Sequence, residues 1–169
     1  MRSRHDSIVW GGAPRPLRRI HLIDIENLAG GAGVGPDEFR RVWHVYRHHA
    51  AGARPGDHIV VAASRFAARD AALALVGEPI QWRWRDGKDG AEIALIEHID
   101  LAHAARRFGT IVVASGDHAF APLMREARHL GMATQLVVGR GTCSRELWQA
   151  CSTHTRMRLG ERKPLSLAA

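Results

Sequence analysis

Short apolar runs alternate along the chain with longer segments whose apolar residues recur at helical spacing. The apolar runs predict strands over 17–24, 58–63, 80–84, 110–114 and 133–138. The longer segments predict helices over 36–50, 66–76, 91–108, 120–130 and 144–151. Strands that alternate with helices need right-handed crossovers, so they form a mostly parallel sheet with helices on both faces. The pattern therefore predicts an α/β three-layer sandwich around a five-stranded sheet.

Single residues support some of these boundaries. Pro36 suits the first turn of the first predicted helix, because a missing N–H costs nothing there. Gly131 follows the fourth predicted helix and would stop it. Ser144 precedes the last one, and a serine hydroxyl is a favoured N-terminal cap.

The chain has the length of one domain. Its 169 residues can bury a sufficient core without disulfides. We expect a flexible basic arm over 1–16, one domain over 17–158 and a tail over 159–169. A membrane span needs about 20 consecutive apolar residues, and neither such a run nor a signal-peptide core is present. We therefore expect a cytoplasmic protein that does not contact membranes.

The charge balance favours a polyanionic partner. The net charge is +7, and of the 24 basic residues only Lys88 and Lys163 are lysines, which leaves 22 arginines. Arginine binds phosphate with two parallel hydrogen bonds, and a basic surface gains affinity for nucleic acid by releasing counterions. Genomic base composition produces arginine-rich chains as well. The two cysteines, Cys143 and Cys151, lack zinc-site spacing, and we expect both as unbonded thiols.

Three acidic residues stand where this fold would bring them together. Asp24 ends the first predicted strand, Asp117 follows the fourth, and Glu92 lies at the start of the helix over 91–108. Ligands of open parallel sheets bind beyond the carboxyl ends of the strands. Carboxylate oxygens suit hard divalent cations. In a basic protein, the acids predict a metal-assisted enzyme that acts on nucleic acid.

Two of these acids, and two polar residues near them, also have a purely structural interpretation. Asp117 could cap the helix that follows it. Asp89 and Glu92 have the spacing of a capping box. Asn27 could hold a water, a phosphate oxygen or Asp24, and it is also a common turn residue. Ser115 could hydrogen-bond an acid or a phosphate, beside a glycine that permits close backbone approach.

Basic residues after the second and third strands are candidates for contacts with the substrate. The set consists of Arg65, Arg83, Arg85 and Lys88, together with His118 beside Asp117. Trp82 and Trp84 alternate with the two strand arginines, and a tryptophan face can stack on a base. Taken singly, each tryptophan is better explained by packing under a helix or over an edge.

Two other kinds of site can be considered. The glycines over 30–35 could cradle a pyrophosphate, but Asp24 and Glu26 would place negative charge beside it. His44 and His48 have a spacing that zinc ligands can have, but the glutamate of the metalloprotease motif is missing. We favour an exposed helix face for the histidines.

Three motifs together resemble one known family. L-I-D-I-E-N-L, D-G-A-E-I-A-L-I and V-V-A-S-G-D-H-A-F-A-P-L occur in this order. They resemble the NYN domain of the PIN-like nuclease superfamily, with the bacterial LabA-like group closest in pattern, over roughly residues 18–158. The resemblance implies the strand order 3-2-1-4-5 and a divalent-metal ribonuclease site.

The resemblance also assigns roles to individual residues. The family's D-x-x-N motif matches Asp24 and Asn27, and its middle acid falls on Glu92. Its S-G-D-x-D-F motif begins at Ser115 and includes Asp117, but its second aspartate is Ala119 here. Two metal ions need enough carboxylates to hold them about 3.5–4 Å apart. The missing acid therefore indicates a one-metal or weakened enzyme.

These observations lead to one preferred function and one alternative. The preferred function is an endoribonuclease that hydrolyses single-stranded RNA with Mg²⁺ or Mn²⁺. Its predicted catalytic residues are Asp24, Asn27, Glu92 and Asp117, and all of these except Asn27 are predicted metal ligands. The alternative is a non-catalytic RNA-binding protein on the same fold. A homodimer is left open.

Overall fold

A computed structural model describes residues 18–87 and 89–161. The predicted arm over 1–16, Lys88 and most of the predicted tail lie outside the described residues. The strands are β1 (Arg19–Asp24), β2 (His58–Ser64), β3 (Gln81–Arg85), β4 (Thr110–Ala114), β5 (Ala133–Val138) and β6 (Thr153–Arg156). The helices are α1 (Ile25–Ala29), α2 (Pro36–Val45), α3 (Arg65–Ala74), α4 (Gly90–His98), α5 (Leu101–Arg107), α6 (Ala121–His129) and α7 (Arg145–Ala150).

The described strands form one parallel sheet in the order β3-β2-β1-β4-β5-β6. This confirms the α/β class and the predicted order 3-2-1-4-5, but the sheet has a sixth strand that the sequence did not predict. β6 has the sequence T-H-T-R and pairs with β5 from Gln135 and Thr153 onward. Its side chains are exposed or half-buried, so an edge strand of this kind leaves no apolar run to detect.

The predicted helix over 91–108 is wrong as a single helix. It divides into α4 and α5 because Ile99 is extended and Asp100 starts a new helix. The Asp100 carboxylate accepts a hydrogen bond of 2.9 Å from the His103 N–H. Apolar residues recur at helical spacing on both sides of this break, so the sequence pattern did not show it.

Other boundaries follow the prediction more closely. The predicted helix over 36–50 is α2 followed by one π-helical turn, Tyr46–Ala50. Ser144 caps α7 as expected, since its hydroxyl accepts a hydrogen bond of 3.1 Å from the Leu147 N–H. A one-turn 3₁₀ helix, His118–Phe120, precedes α6.

Two apolar cores lie on opposite faces of the sheet, as a three-layer sandwich requires. Along β1, Leu22 packs under α4–α7, while Ile23 packs under α1–α3. Trp82 packs at the edge of the second core, and Trp84 is exposed. Leu159, in the predicted tail, is buried.

Two smaller sequence predictions concern cysteines and membranes. Both cysteines are free thiols, with Cys151 buried and Cys143 partly buried. No helix in residues 18–87 and 89–161 has the length and apolar character that crossing a membrane requires.

Candidate functional site

Asp24 lies at the carboxyl edge of the sheet, where β1 changes directly into α1. Its side chain is almost completely buried, at 1% exposure. One carboxylate oxygen accepts a hydrogen bond of 3.0 Å from the Asn27 N–H and so caps α1. The strand does not continue to Glu26. Glu26 instead accepts hydrogen bonds from the backbone N–H and the hydroxyl of Ser64 at the end of β2.

Glu92 reaches Asp24 from the first turn of α4. The two carboxyl groups lie within hydrogen-bonding reach of each other, and Glu92 is buried. The proposed capping box is absent from the described contacts, because Asp89 adopts a left-handed conformation with φ of 60° and its side chain does not cap α4. A Cβ atom on Gly90 would lie 2.4 Å from the Arg85 carbonyl oxygen, so glycine lets α4 start close to β3.

The electrostatic environment of Asp24 and Glu92 favours a proton or a cation between them. Burial raises the pKa of Asp24 well above its usual range; the Asn27 N–H opposes that rise, and the charges of Glu92 and Glu26 add to it. Burial raises the pKa of Glu92 too. Two carboxyl groups in contact disfavour double ionisation, and they must share a proton or a cation. The oxygen donors are of the kind that Mg²⁺ and Mn²⁺ prefer.

Ser115 and Asn27 hold the acidic pair in place from the β4 side. The buried Ser115 hydroxyl donates to the second Asp24 oxygen at 3.3 Å and accepts from the Asp117 N–H at 3.2 Å. The Asn27 side-chain oxygen accepts a hydrogen bond of 2.9 Å from the Gly116 N–H. The sequence did not predict this contact, in which the Asn27 side chain ties α1 to the loop after β4.

Asp117 is placed differently from the other two acids. Its carboxylate caps the 3₁₀ turn through the Ala119 N–H at 2.8 Å and lies 3.2 Å from the exposed His118 ring. It is near enough to Glu92 for its charge to raise the pKa of that residue. Within the described part of the chain, no three His, Cys, Asp or Glu side chains form a ready metal-binding group. The structure therefore brings Asp24 and Glu92 together, with Asp117 nearby in a capping role.

A cavity of about 430 Å³ opens above the acidic pair. Its lining comes from α1, the glycine loop, α4 and the loop after β5: Asp24, Glu26, Asn27, Gly30, Gly31, Ala32, Glu92, Arg140, Gly141 and Thr142. Sequence reasoning missed the contribution of the loop after β5. The available signal was G-R-G-T directly after a strand, at the same edge of the sheet as Asp24.

Backbone hydrogen bonds and a close backbone approach seat the loop after β5 against the rest of the site. The Arg140 N–H donates to the Leu28 carbonyl at 2.9 Å, and the Ser144 N–H donates to the Gly116 carbonyl at 2.8 Å. A Cβ atom on Gly116 would lie only 1.6 Å from the Thr142 carbonyl oxygen. This confirms the close backbone approach expected at Gly116.

The three arginines predicted to contact the substrate lie outside this cavity lining. Arg83 contacts His98 at 3.0 Å, Arg85 pairs with Glu97 at 2.5 Å, and Arg65 lies 3.7 Å from Asp86. Arg65 and Arg85 are exposed, and Lys88 lies outside the described residues. Arg65, Arg83 and Arg85 border the carboxyl edge on the β2–β3 side, and their recorded contacts do not include the acidic pair.

The two other kinds of site find little support. The helix α1 separates β1 from the glycine loop, and Gly30 serves as its left-handed C-terminal cap with φ of 80°. A dinucleotide-binding turn instead runs from strand through glycines into helix. His44, His48 and His49 are exposed neighbours on α2 and the π-helical turn.

Comparison with known proteins gives one family and one solved fold. The NYN domain family matches residues 21–158. A crystal structure of a protein of unknown function from Vibrio parahaemolyticus has a TM-score of 0.53 and 11% sequence identity, and the match covers 87% of this chain and 96% of that one. At this identity the likeness concerns the fold. A search of curated proteins finds no match.

Proposed function

The chain belongs to the NYN domain family of PIN-like nucleases, and on that premise we propose that it is a divalent-metal-dependent endoribonuclease of single-stranded RNA. The observation that carries this proposal is the contact between Asp24 and Glu92 at the bottom of an open cavity. Burying two carboxyl groups against each other costs free energy. A bound cation would offset that cost and would let both carboxyl groups ionise.

The residues around the cavity have separable tasks in this proposal. Asp24 and Glu92 would hold the ion, and Asp117 would supply a third carboxylate. Mg²⁺ or Mn²⁺ would supply positive charge for the phosphate oxygens and would make a water molecule more acidic. Ser115 fixes the orientation of the Asp24 carboxylate, and Asn27 fixes the loop that carries Ser115 and Asp117.

The basic residues outside the cavity fit a role in binding the RNA away from the phosphodiester bond that is cleaved. Arg65, Arg83 and Arg85 are proposed to contact phosphates of a longer RNA, and Lys88 and His118 belong to the same proposed set. Each of the three arginines already has a partner within the described residues, so a phosphate would have to compete with it. We therefore propose that each of them contributes weakly, as one of several contacts along a longer RNA.

A cleavage assay with matched variants tests the proposal. Wild type, Asp24→Asn, Glu92→Gln and the control Glu126→Gln are incubated with single-stranded RNA and Mn²⁺. Glu126 is exposed on α6, so its variant changes the net charge equally without reaching the cavity. Changes in the shell that only supports a metal cost 10–100-fold, so loss of a ligand should lower cleavage by about 100-fold or more. Equal cleavage by wild type and Asp24→Asn would contradict the proposal.

A second candidate function is RNA binding without cleavage. It is favoured by Ala119, which replaces an acid of the family pattern, and by the capping role of Asp117. This function predicts that wild type leaves the RNA intact in Mn²⁺ and that Asp24→Asn binds it as well as wild type does. Titration of binding in EDTA, next to the cleavage assay, separates the two functions.

A further inference from the structure

The cavity has an uneven distribution of charge. Asp24, Glu26 and Glu92 lie on the side formed by α1 and α4, and Arg140 lies on the side formed by the loop after β5. Arg140 is the one Lys or Arg among the described residues that line the cavity. A phosphodiester strand entering here meets repulsion from three carboxylates and attraction from one guanidinium group.

Arg140 is held firmly by groups outside the acidic pair. Its Nε donates to a Glu38 carboxylate oxygen at 2.9 Å, and its Nη2 donates to the Leu159 carbonyl at 3.3 Å. The side chain is only 19% exposed. A guanidinium group has five N–H donors, so these two bonds do not use all of them. The group is thus oriented before any ligand arrives.

The partner of Arg140 does not cancel its charge. Glu38 also accepts a hydrogen bond of 3.4 Å from Arg41, so one carboxylate serves two arginines. This cluster of Arg41, Glu38 and Arg140 has a net charge of +1. The excess charge favours an anionic ligand.

We infer that Arg140 binds a backbone phosphate of the RNA strand next to the phosphate that would meet a metal ion at Asp24 and Glu92. This inference rests on the proposed function for its ligand class. An arginine pairs with phosphate through two parallel hydrogen bonds, which fix position as well as adding affinity. Arg140 is thus a positioning residue that sets which phosphate of the strand reaches the acidic pair.

The decisive measurement is RNA binding without metal or cleavage. Fluorescence anisotropy follows a labelled single-stranded oligoribonucleotide in EDTA between 50 and 200 mM KCl, with wild type, Arg140→Gln, Arg140→Lys and Arg125→Gln. Arg125 pairs with Glu146 on the outer surface of α6 and α7, and its variant is the control for lost charge. Loss of one phosphate contact should reduce the slope of log K against log salt by about 0.7. Affinity of Arg140→Gln should fall about tenfold.

The outcomes separate this inference from the proposed function. If Arg140→Gln has the same slope and affinity as Arg125→Gln, the inference is wrong even if wild type cleaves RNA. If the slope changes but wild type does not cleave, the phosphate site stands and the nuclease proposal fails. With cleavage present, Arg140→Gln should raise KM about tenfold and change kcat by less than about threefold.

Arg140→Lys tests the inference independently if Arg140→Gln fails to fold. It keeps the charge and can still pair with Glu38, but it loses the planar fork. We expect an unchanged salt slope with an affinity about threefold below that of wild type. If Arg140→Lys has wild-type affinity, bidentate binding by Arg140 is wrong.

Discussion

At the scale of single residues, Asp24 combines two roles that usually belong to different positions. It is the N-terminal cap of α1, and it is one half of a buried pair of carboxyl groups. An asparagine could perform the first role equally well, because asparagine and aspartate are comparable caps. Only the role in the buried pair of carboxyl groups requires an aspartate. The substitution Asp24→Asn therefore separates the two roles.

Asp24→Asn should make the protein more stable in the absence of divalent metal. Because the pKa of Asp24 is raised in the fold, the folded state holds its proton more tightly than the unfolded chain does. Stability therefore falls as pH rises above about 4, the usual range of the carboxyl. The amide removes this penalty, and each kcal/mol regained raises the melting temperature by about 2–4 °C in a domain of this size. Thermal unfolding at pH 7.5 in EDTA measures the difference.

The same experiment with Mn²⁺ adds a readout for the metal. Wild type should gain melting temperature with Mn²⁺, because a ligand that binds only the folded state stabilises it. Asp24→Asn should gain much less, and Glu126→Gln should respond as wild type does. If Asp24→Asn is less stable than wild type in EDTA, the buried pair of carboxyl groups does not destabilise the metal-free fold, and this account is wrong.

At the scale of elements, the site depends on how loops from different strands contact one another. The loop after β5 lies against α1 at Leu28 and against the loop after β4 at Gly116. These contacts join backbone to backbone. They leave no space for a side chain at Gly116 or at Gly139. A Cβ atom on Gly139 would lie 2.3 Å from the Leu28 carbonyl oxygen.

Gly116→Ala should therefore disturb both folding and the site. Its methyl group would collide with the Thr142 carbonyl and push the loop after β5 away from Asn27. Overpacking of this kind costs about 1–3 kcal/mol of unfolding free energy. Urea unfolding measures the loss, and RNA cleavage should fall with it.

Gly33→Ala is a suitable comparison in the same protein. A Cβ atom there has nothing within 4 Å, and the position does not have a left-handed φ. Its unfolding free energy should stay within about 0.5 kcal/mol of wild type. If both variants unfold alike, the packing account of Gly116 is wrong.

At the scale of the whole molecule, the two ends of the sheet respond to pH in opposite directions. The acidic pair lies at the carboxyl end, and a buried network of Arg19, His21, Tyr46 and Asp57 lies at the amino end. His21 bonds to the Tyr46 hydroxyl at 2.7 Å and lies 3.2 Å from Asp57. Burial lowers the pKa of His21 to about 4, with the Arg19 charge acting in the same direction.

The His21 network should make the protein sensitive to acid. Below pH 6.5 the unfolded chain takes up a proton on this histidine, whereas the fold does so only near pH 4, so stability falls as pH drops through that window. The full loss, reached below pH 4, is about 3 kcal/mol. His21→Gln should flatten unfolding free energy between pH 7 and 4, and His129→Gln, on the surface of α6, should not. Equal pH dependence of wild type and His21→Gln would contradict this account.

The sequence by itself determined the class of fold and most of the site's carboxyl groups. Buried strands in a parallel sheet are continuous apolar runs, and the residue that ends such a run is visible without knowing its neighbours. Asp24, Ser115 and Asp117 were found this way, and the motif order around them indicated the family. The edge strand β6 was not visible because it is polar, and the break between α4 and α5 was not visible because apolar periodicity continues across it.

Only the tertiary structure decided which of these residues meet. Contact between Asp24 and Glu92 depends on the placement of α4 beside β3, and Asp117 is directed into a helix cap by the turn that follows it. Arg140 reaches the cavity because β5 ends at the same edge as β1 and its loop packs on α1. Such contacts join residues far apart in the chain, and their energies depend on burial and distance that a linear pattern does not contain.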